Sequence, residues 1–179
     1  MKNILKVLEL GSCEEKIKIL ETLDYTNNPE ILETIISKLD DDDIQVRGEA
    51  FCSLVLNENK ISNFLIKGLN SASKNIRGFT SLVLANRNET IAIPEIIKLA
   101  KDERSMVRAC AIGALGYLKA QEAKEIFLKS LLDSNLEVRK SALQAVIELN
   151  ITVSENKIKE MIKEKDPEIE KLLLQLKKK

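Results

Sequence analysis

The sequence contains no histidine and no tryptophan, only three cysteines and three prolines, and six glycines. Without His, the Ser-His-Asp and Cys-His mechanisms lack their general base, and the imidazole ligands of most zinc and iron sites are missing. Cys13, Cys52 and Cys110 are an odd number, widely spaced and without a CxxC pair. They read as free thiols of a reducing compartment rather than a disulfide framework. Aromatic residues amount to 3% against 44% hydrophobic overall, so burial falls to Leu, Ile, Val and Ala, a helix-compatible set. Lys plus Arg and Asp plus Glu both number 28. No excess of positive charge exists to drive counterion release, which argues against a nucleic-acid partner. No stretch approaches the ~20 apolar residues of a membrane span, and Met1 to Leu10 lacks a signal-length apolar run. A soluble, cytoplasmic protein with no membrane association is the expectation. The local charge clusters, Asp40 to Asp43 and Lys177 to Lys179, read as solvated faces and ends. The acidic run lacks the alternating ligands and downstream Glu of a calcium loop.

What is present is a repeat. Val46-Arg47, Ile76-Arg77, Val107-Arg108 and Val138-Arg139 place a β-branched residue before Arg at intervals of 30, 31 and 31 residues. The same register reaches Lys16 at one end and Glu170 at the other, both departures at the Arg position. Four residues before this column stand Ser12, Asp43, Ser73, Arg104, Asn135 and Asp166, five of them good N-cap residues, with Pro167 at a favoured first helical position. Positions one before and three, four and seven after the Arg are mostly apolar, as in Val46, Ala50, Phe51 and Leu54, which defines one face of an α-helix. A second apolar segment of helical spacing precedes each cap: Ile31 to Leu39, Ile61 to Leu69, Ile93 to Ala100 and Ile126 to Leu131. Each repeat is therefore a helix, a tight turn and a helix. The expectation is an all-α superhelix of about six antiparallel helix pairs in a single domain, residues 1–179, with repeats near 1–26, 27–57, 58–87, 88–119, 120–150 and 151–179. Gly48, Gly78, Gly113 and Gly116 fall inside second helices, where each costs about 1 kcal/mol relative to Ala. Close helix packing is the expected reason.

The segment Leu132 to Leu143, Leu-Asp-Ser-Asn-Leu-Glu-Val-Arg-Lys-Ser-Ala-Leu, resembles the short HEAT-like repeat first named after phycobilisome lyases, and the resemblance covers nearly the whole chain. It implies a HEAT/armadillo-like α-solenoid. It implies little about activity, because that repeat serves adaptors, lyase subunits, an iron hydroxylase and DNA glycosylase relatives. The hydroxylases need His-Glu pairs, which this chain cannot supply. The resemblance also implies a ladder between neighbouring repeats that involves an Asp six residues before the Arg: Asp41 before Arg47, Asp102 before Arg108 and Asp133 before Arg139, with Ser71 before Arg77 as a departure. An Arg in the first turn of a helix faces the positive end of the dipole, so a carboxylate partner would offset that cost. Asp41, Arg47, Arg77, Asp102, Arg108, Asp133 and Arg139 are accordingly expected to be structural.

No catalytic, cofactor or metal residue emerges. Cys52 and Cys110 have no base beside them in the repeat register, and no stripe of Lys and Arg alternating with aromatics marks a nucleic-acid groove. The second helix buries positions near −1, 3, 4 and 7, so the outward columns lie near 1, 2, 5 and 9. In solenoids of this kind the second helices line the concave surface. The candidate partner-binding residues are Cys52, Leu56, Phe79, Leu82, Asn86, Cys110, Tyr117 and Gln144, with Phe79, Leu82 and Tyr117 as an apolar centre and Glu49 and Glu148 at its edges. The expected function is a non-catalytic scaffold that holds a protein or peptide partner. An accessory subunit or chaperone of a modifying enzyme is the alternative, and a nucleic-acid-binding relative a further one.

Overall fold

The computed structural model describes residues 2–163 and 166–177, so Lys178 and Lys179 of the basic tail lie outside the described residues. The chain is all-α. Among the described residues twelve α-helices form six consecutive antiparallel pairs: α1 Lys2–Leu10 with α2 Cys13–Leu20, α3 Pro29–Ser37 with α4 Ile44–Leu56, α5 Ser62–Gly68 with α6 Lys74–Asn86, α7 Ile93–Leu99 with α8 Ser105–Tyr117, α9 Lys124–Ser130 with α10 Leu136–Glu148, and α11 Glu155–Ile162 with α12 Pro167–Lys177. No strand occurs among the described residues. No described helix is long and apolar enough to cross a membrane.

The second helices start where side chains can hold the free N–H groups of the first turn. Ser12 and Glu15 form a reciprocal capping box at α2. Asp43 Oδ1 accepts from the Gln45 and Val46 amides at 2.7 and 3.2 Å. Ser73, Asn135 and Asp166 cap α6, α10 and α12 in the same way. Arg104 opens α8 without a side-chain cap. A turn precedes each cap in the four middle repeats. Asp41, Ser71, Asp102 and Asp133 each accept the amide two residues on, from Asp43, Ser73, Arg104 and Asn135. Ser71 therefore keeps the turn while lacking the charge of its three counterparts. At the other end of α6, α8 and α10, Asn88, Lys119 and Asn150 adopt φ of 55, 54 and 54°. The amide that follows each one reaches back to Leu84, Leu115 or Val146. That arrangement satisfies the terminal carbonyls and ends the helix at one point of the repeat.

Contacts divide the chain into two compact halves, residues 1–92 and 93–179. In the N-terminal half α4 packs against α2, α3 and α6. Its core holds Leu20, Leu32, Ile35, Leu39, Val46, Leu54, Leu65 and Leu84. In the C-terminal half α10 packs against α8, α9 and α12, around Ile96, Val107, Ile112, Leu115, Phe127, Val138, Leu143 and Val146. The third position after the Arg is small and fully buried in the middle repeats, Ala50, Thr80, Ala111 and Ala142. Side chains of that size let neighbouring helices approach.

The helical glycines have different reasons. At Gly116 an added Cβ would sit 2.9 Å from the Cβ of Ala145, so the close approach of α8 and α10 requires glycine there. Gly48 and Gly113 have nothing within 4 Å of that position. Close packing is thus the wrong explanation for those two, because both face open space rather than a neighbouring helix.

Candidate functional site

The cation column of the repeat frames the second helices. Arg108 donates from Nε and Nη2 to the two carboxylate oxygens of Asp133, one repeat further on, at 2.9 and 2.8 Å. Its Nη1 donates to the carbonyls of Asp102 and Glu103 in its own turn. Arg47 and Arg77 hold their own turns likewise, through the carbonyls of Asp41 and Asp42 and of Ser71 and Ala72. Arg139 reaches the Asp133 carbonyl at 2.6 Å. Each Arg thus binds the main chain of its own turn, and the carboxylate that Arg108 meets across a repeat belongs to the following turn. Lys16, a departure by residue type, does the same work: its Nζ meets Asp41 Oδ2 at 2.9 Å. The acidic run has a local task at each position. Asp40 accepts from Asn75, Asp41 pairs with Lys16, the Asp42 carbonyl receives Arg47 and Asp43 caps α4.

Titration follows this geometry. The Arg108 guanidinium beside Asp133 holds its carboxyl below the usual carboxylate range. At Asp41 burial acts to raise the pKa, and the Lys16 ammonium and local hydrogen bonds outweigh it, so the net direction is again down.

The N-terminal half carries a second set of ties, which sequence reasoning missed. Asn57, 2% exposed, donates from Nδ2 to the Thr26 carbonyl at 2.8 Å. Arg87 Nη1 donates to the carbonyls of Asn57 and Leu54, and Nη2 to that of Asn59. Thr26, Asn57 and Arg87 occupy one repeat column. The acceptors are main-chain oxygens, so the sequence gives no sign of them.

The outward columns are less buried. In the N-terminal half Cys52, Leu56 and Asn86 are exposed, Leu56 by 64%, while Phe79 and Leu82 are half-buried. In the C-terminal half Tyr117 is 62% exposed and Gln144 is exposed. Cys110 is half-buried, with its Sγ 3.6 Å from Met106 Sδ. Burial pushes its thiol up to about 11, which leaves it protonated and a poor nucleophile.

Tyr117 and Gln144 line one open cavity of about 610 Å³ built from α8, α10 and α12, with Gly113 and Gly116 on α8, Lys140, Ser141 and Glu148 on α10, and Glu168, Lys171, Leu172 and Gln175 on α12. Leu172 and Gln175 are the outward columns one period beyond Ser141 and Gln144. The register could have found them. Gln144 donates to Glu148 at 2.6 Å, and Lys140 is held by Glu168 and Glu137. The cavity therefore offers a ring, amides, paired charges and a floor without side chains at Gly113. Among the described residues no group of three His, Cys, Asp or Glu is placed to hold a metal ion.

Comparison with known proteins finds a family model of HEAT repeats matching residues 62–147. A second, described as a HEAT repeat associated with sister chromatid cohesion, matches residues 23–48. No curated protein matches the chain. Among solved structures, a chain of the CpcE–CpcF complex of phycocyanin lyase from Nostoc sp. superposes with a TM-score of 0.69 at 20% identity, over 83% of this chain and 99% of that one. A computationally designed armadillo repeat protein for modular peptide recognition gives 0.58 at 17%, over 98% of each chain. Another, in complex with the peptide (KR)4, gives 0.55 at 18%, over 98% and 97%.

Proposed function

Because the chain is a HEAT-like repeat solenoid, we propose that it is a non-catalytic scaffold that holds a protein or peptide partner on the outward face of its second helices. The observation that carries this reading is the contrast between columns of the same helices. The Arg column is tied into its own turn, and the positions three, four and seven after it are mostly in the core. The positions two, five and nine after it remain half-buried or exposed and hold residues such as Leu56 and Tyr117. Large apolar side chains left in water on a regular helical lattice are the usual mark of a recognition surface.

The absence of His supports a binding role, since His-based triads and imidazole metal sites cannot form. The candidate residues Cys52, Leu56, Phe79, Leu82 and Asn86 lie in the outward columns of the N-terminal unit, and Cys110, Tyr117 and Gln144 in those of the C-terminal unit. The whole chain is read as one repeat domain. A second reading, an accessory subunit of a modifying enzyme, is favoured by the likeness to a chain of the phycocyanin lyase complex. It differs from the first only in what the partner does.

The test is site-specific photo-crosslinking in the native cell. A photoreactive residue is placed at Leu56, at Tyr117 and, as a control on a first helix, at exposed Lys129. Adducts to a common protein from positions 56 and 117, and none from 129, are expected. Adducts at 129 alone, or none at 56 and 117, would overturn the proposal.

A further inference from the structure

The N-terminal half presents a lattice of nine outward residues, three from each of its second-helix segments. The first row is Lys18, Glu49 and Phe79, the second Glu21, Cys52 and Leu82, the third Tyr25, Leu56 and Asn86. Tyr25 lies just beyond α2 and is 71% exposed; Leu56 ends α4. These two are brought together by the bonds from Asn57 to the Thr26 carbonyl and from Asn59 to the Tyr25 carbonyl. An exposed aromatic and an exposed aliphatic residue therefore stand on adjacent repeats at one edge. Half-buried Phe79 and Leu82 stand on α6 at the other.

Glu21 and Glu49 stand on the first two repeats beside this apolar surface, close enough for the charge of Glu21 to act on Glu49. Among the described residues neither carboxylate makes an ion pair or a side-chain hydrogen bond, although the carboxylates of the ladder face are engaged. Lys18, three residues before Glu21, is exposed and lies outside ion-pair distance of both. Glu49 is half-buried, and burial together with the Glu21 charge makes its ionisation harder. An arriving cation would relieve that repulsion. Apolar surface with an uncompensated acidic pair beside it is complementary to one kind of ligand.

We propose that this face of the N-terminal half takes a basic, apolar segment of a protein partner, with a Lys or Arg seated at Glu21 and Glu49 and apolar side chains laid on Tyr25 and Leu56 and on Phe79 and Leu82. This rests on the scaffold reading above and adds the partner's chemistry. The same acidic pair repels a phosphate backbone, which separates it from a nucleic-acid surface.

The test uses the full chain and two labelled amphipathic peptides of equal Leu and Ala content, one bearing lysines and the other glutamates, followed by fluorescence anisotropy. The lysine peptide binds, the glutamate peptide does not, and Glu21→Gln with Glu49→Gln weakens the lysine peptide about tenfold, the scale of losing two solvent-accessible ion pairs. Leu56→Ser, at an exposed position, weakens it separately, so loss of charge and loss of apolar contact are read apart. Unchanged melting of each variant shows that the fold is retained. Equal binding of both peptides, no binding of either, or an affinity insensitive to the two Gln substitutions overturns the proposal. A labelled single-stranded oligonucleotide that binds in place of the peptide also overturns it. Crosslinks from position 56 or 117 to a partner lacking a basic apolar segment would sink this inference while leaving the scaffold reading intact.

Discussion

Replacing Asp133 by Asn isolates one rung of the ladder. The variant keeps an oxygen to accept the Asn135 amide, now at 2.9 Å, so the turn before α10 is preserved. What it removes is the charge facing Arg108 across two hydrogen bonds of 2.8 and 2.9 Å. Both side chains are 16% exposed, between the solvent-exposed pair worth about 0–1 kcal/mol and the hydrogen bond to a charged group worth about 1.5–3 kcal/mol. A cost of about 1–2 kcal/mol follows, or roughly 2–8 °C in melting temperature for a domain of this size. Arg108→Ala should cost more, because it also frees the Asp102 and Glu103 carbonyls. In the double variant the Asp133 substitution should add little, since its partner is gone. The pH dependence carries a sign. A carboxylate whose folded pKa is depressed contributes stability that is complete above its unfolded pKa of about 3.9 and is lost as pH falls through the folded value. Urea unfolding should therefore separate wild type from Asp133→Asn at pH 7 and pH 5 equally, with the gap closing below about pH 4. A variant whose unfolding curve overlays wild type at neutral pH would refute the rung as a stabilising element.

Other expectations are open to similar measurements. Ser71→Asp restores the carboxylate that Arg47 lacks while keeping the turn to Ser73, and should raise stability by about 0.5–1 kcal/mol; thermal melting checks it. Gly113→Ala should stabilise by about 1 kcal/mol because its Cβ meets open space, whereas Gly116→Ala should not, because Ala145 stands 2.9 Å away. Thr80 Oγ1 is buried without a hydrogen-bond partner, so Thr80→Val should stabilise by about 1 kcal/mol, measured by urea midpoint. Of the thiols, Cys52 should react with a disulfide reagent at pH 8 at the rate of a free exposed cysteine. Cys110, with its pKa pushed up to about 11, should lag far behind.

Helix boundaries were legible in the sequence because they are decided locally. Ser12, Asp43, Ser73, Asn135 and Asp166 cap helices through bonds that span two or three residues, and such chemistry is written in the residue type. Contacts between repeats were legible only where both partners carry recognisable charge. Lys16 was passed over as a departure from arginine, although the ladder asks for a cation, and an ammonium reaches Asp41 as well. Thr26, Asn57 and Arg87 share a column without sharing a chemistry, and their acceptors are carbonyls that any residue supplies. Gly48, Gly113 and Gly116 look alike as letters, and only the neighbouring backbone decides which of them packs.

The same contrast explains why the outward face is a better place than the ladder to look for function. Along the cation column the chain repeats itself, Arg47, Arg77, Arg108 and Arg139, because a main-chain turn of fixed shape must be held each time, and Lys16 at its head supplies the charge for Asp41. Five residues further on it reads Glu21, Cys52, Leu82, Gly113, Gln144 and Gln175, six positions with five residue types. Nothing in the packing of the repeat demands any of them, since a helix fixes its core stripe and leaves the opposite stripe unconstrained. Substitution there should move stability by less than about 0.5 kcal/mol, as at ordinary surface positions, except at Gly113, where added helix propensity intervenes. A column that varies while its neighbours repeat can hold a different contact at every step.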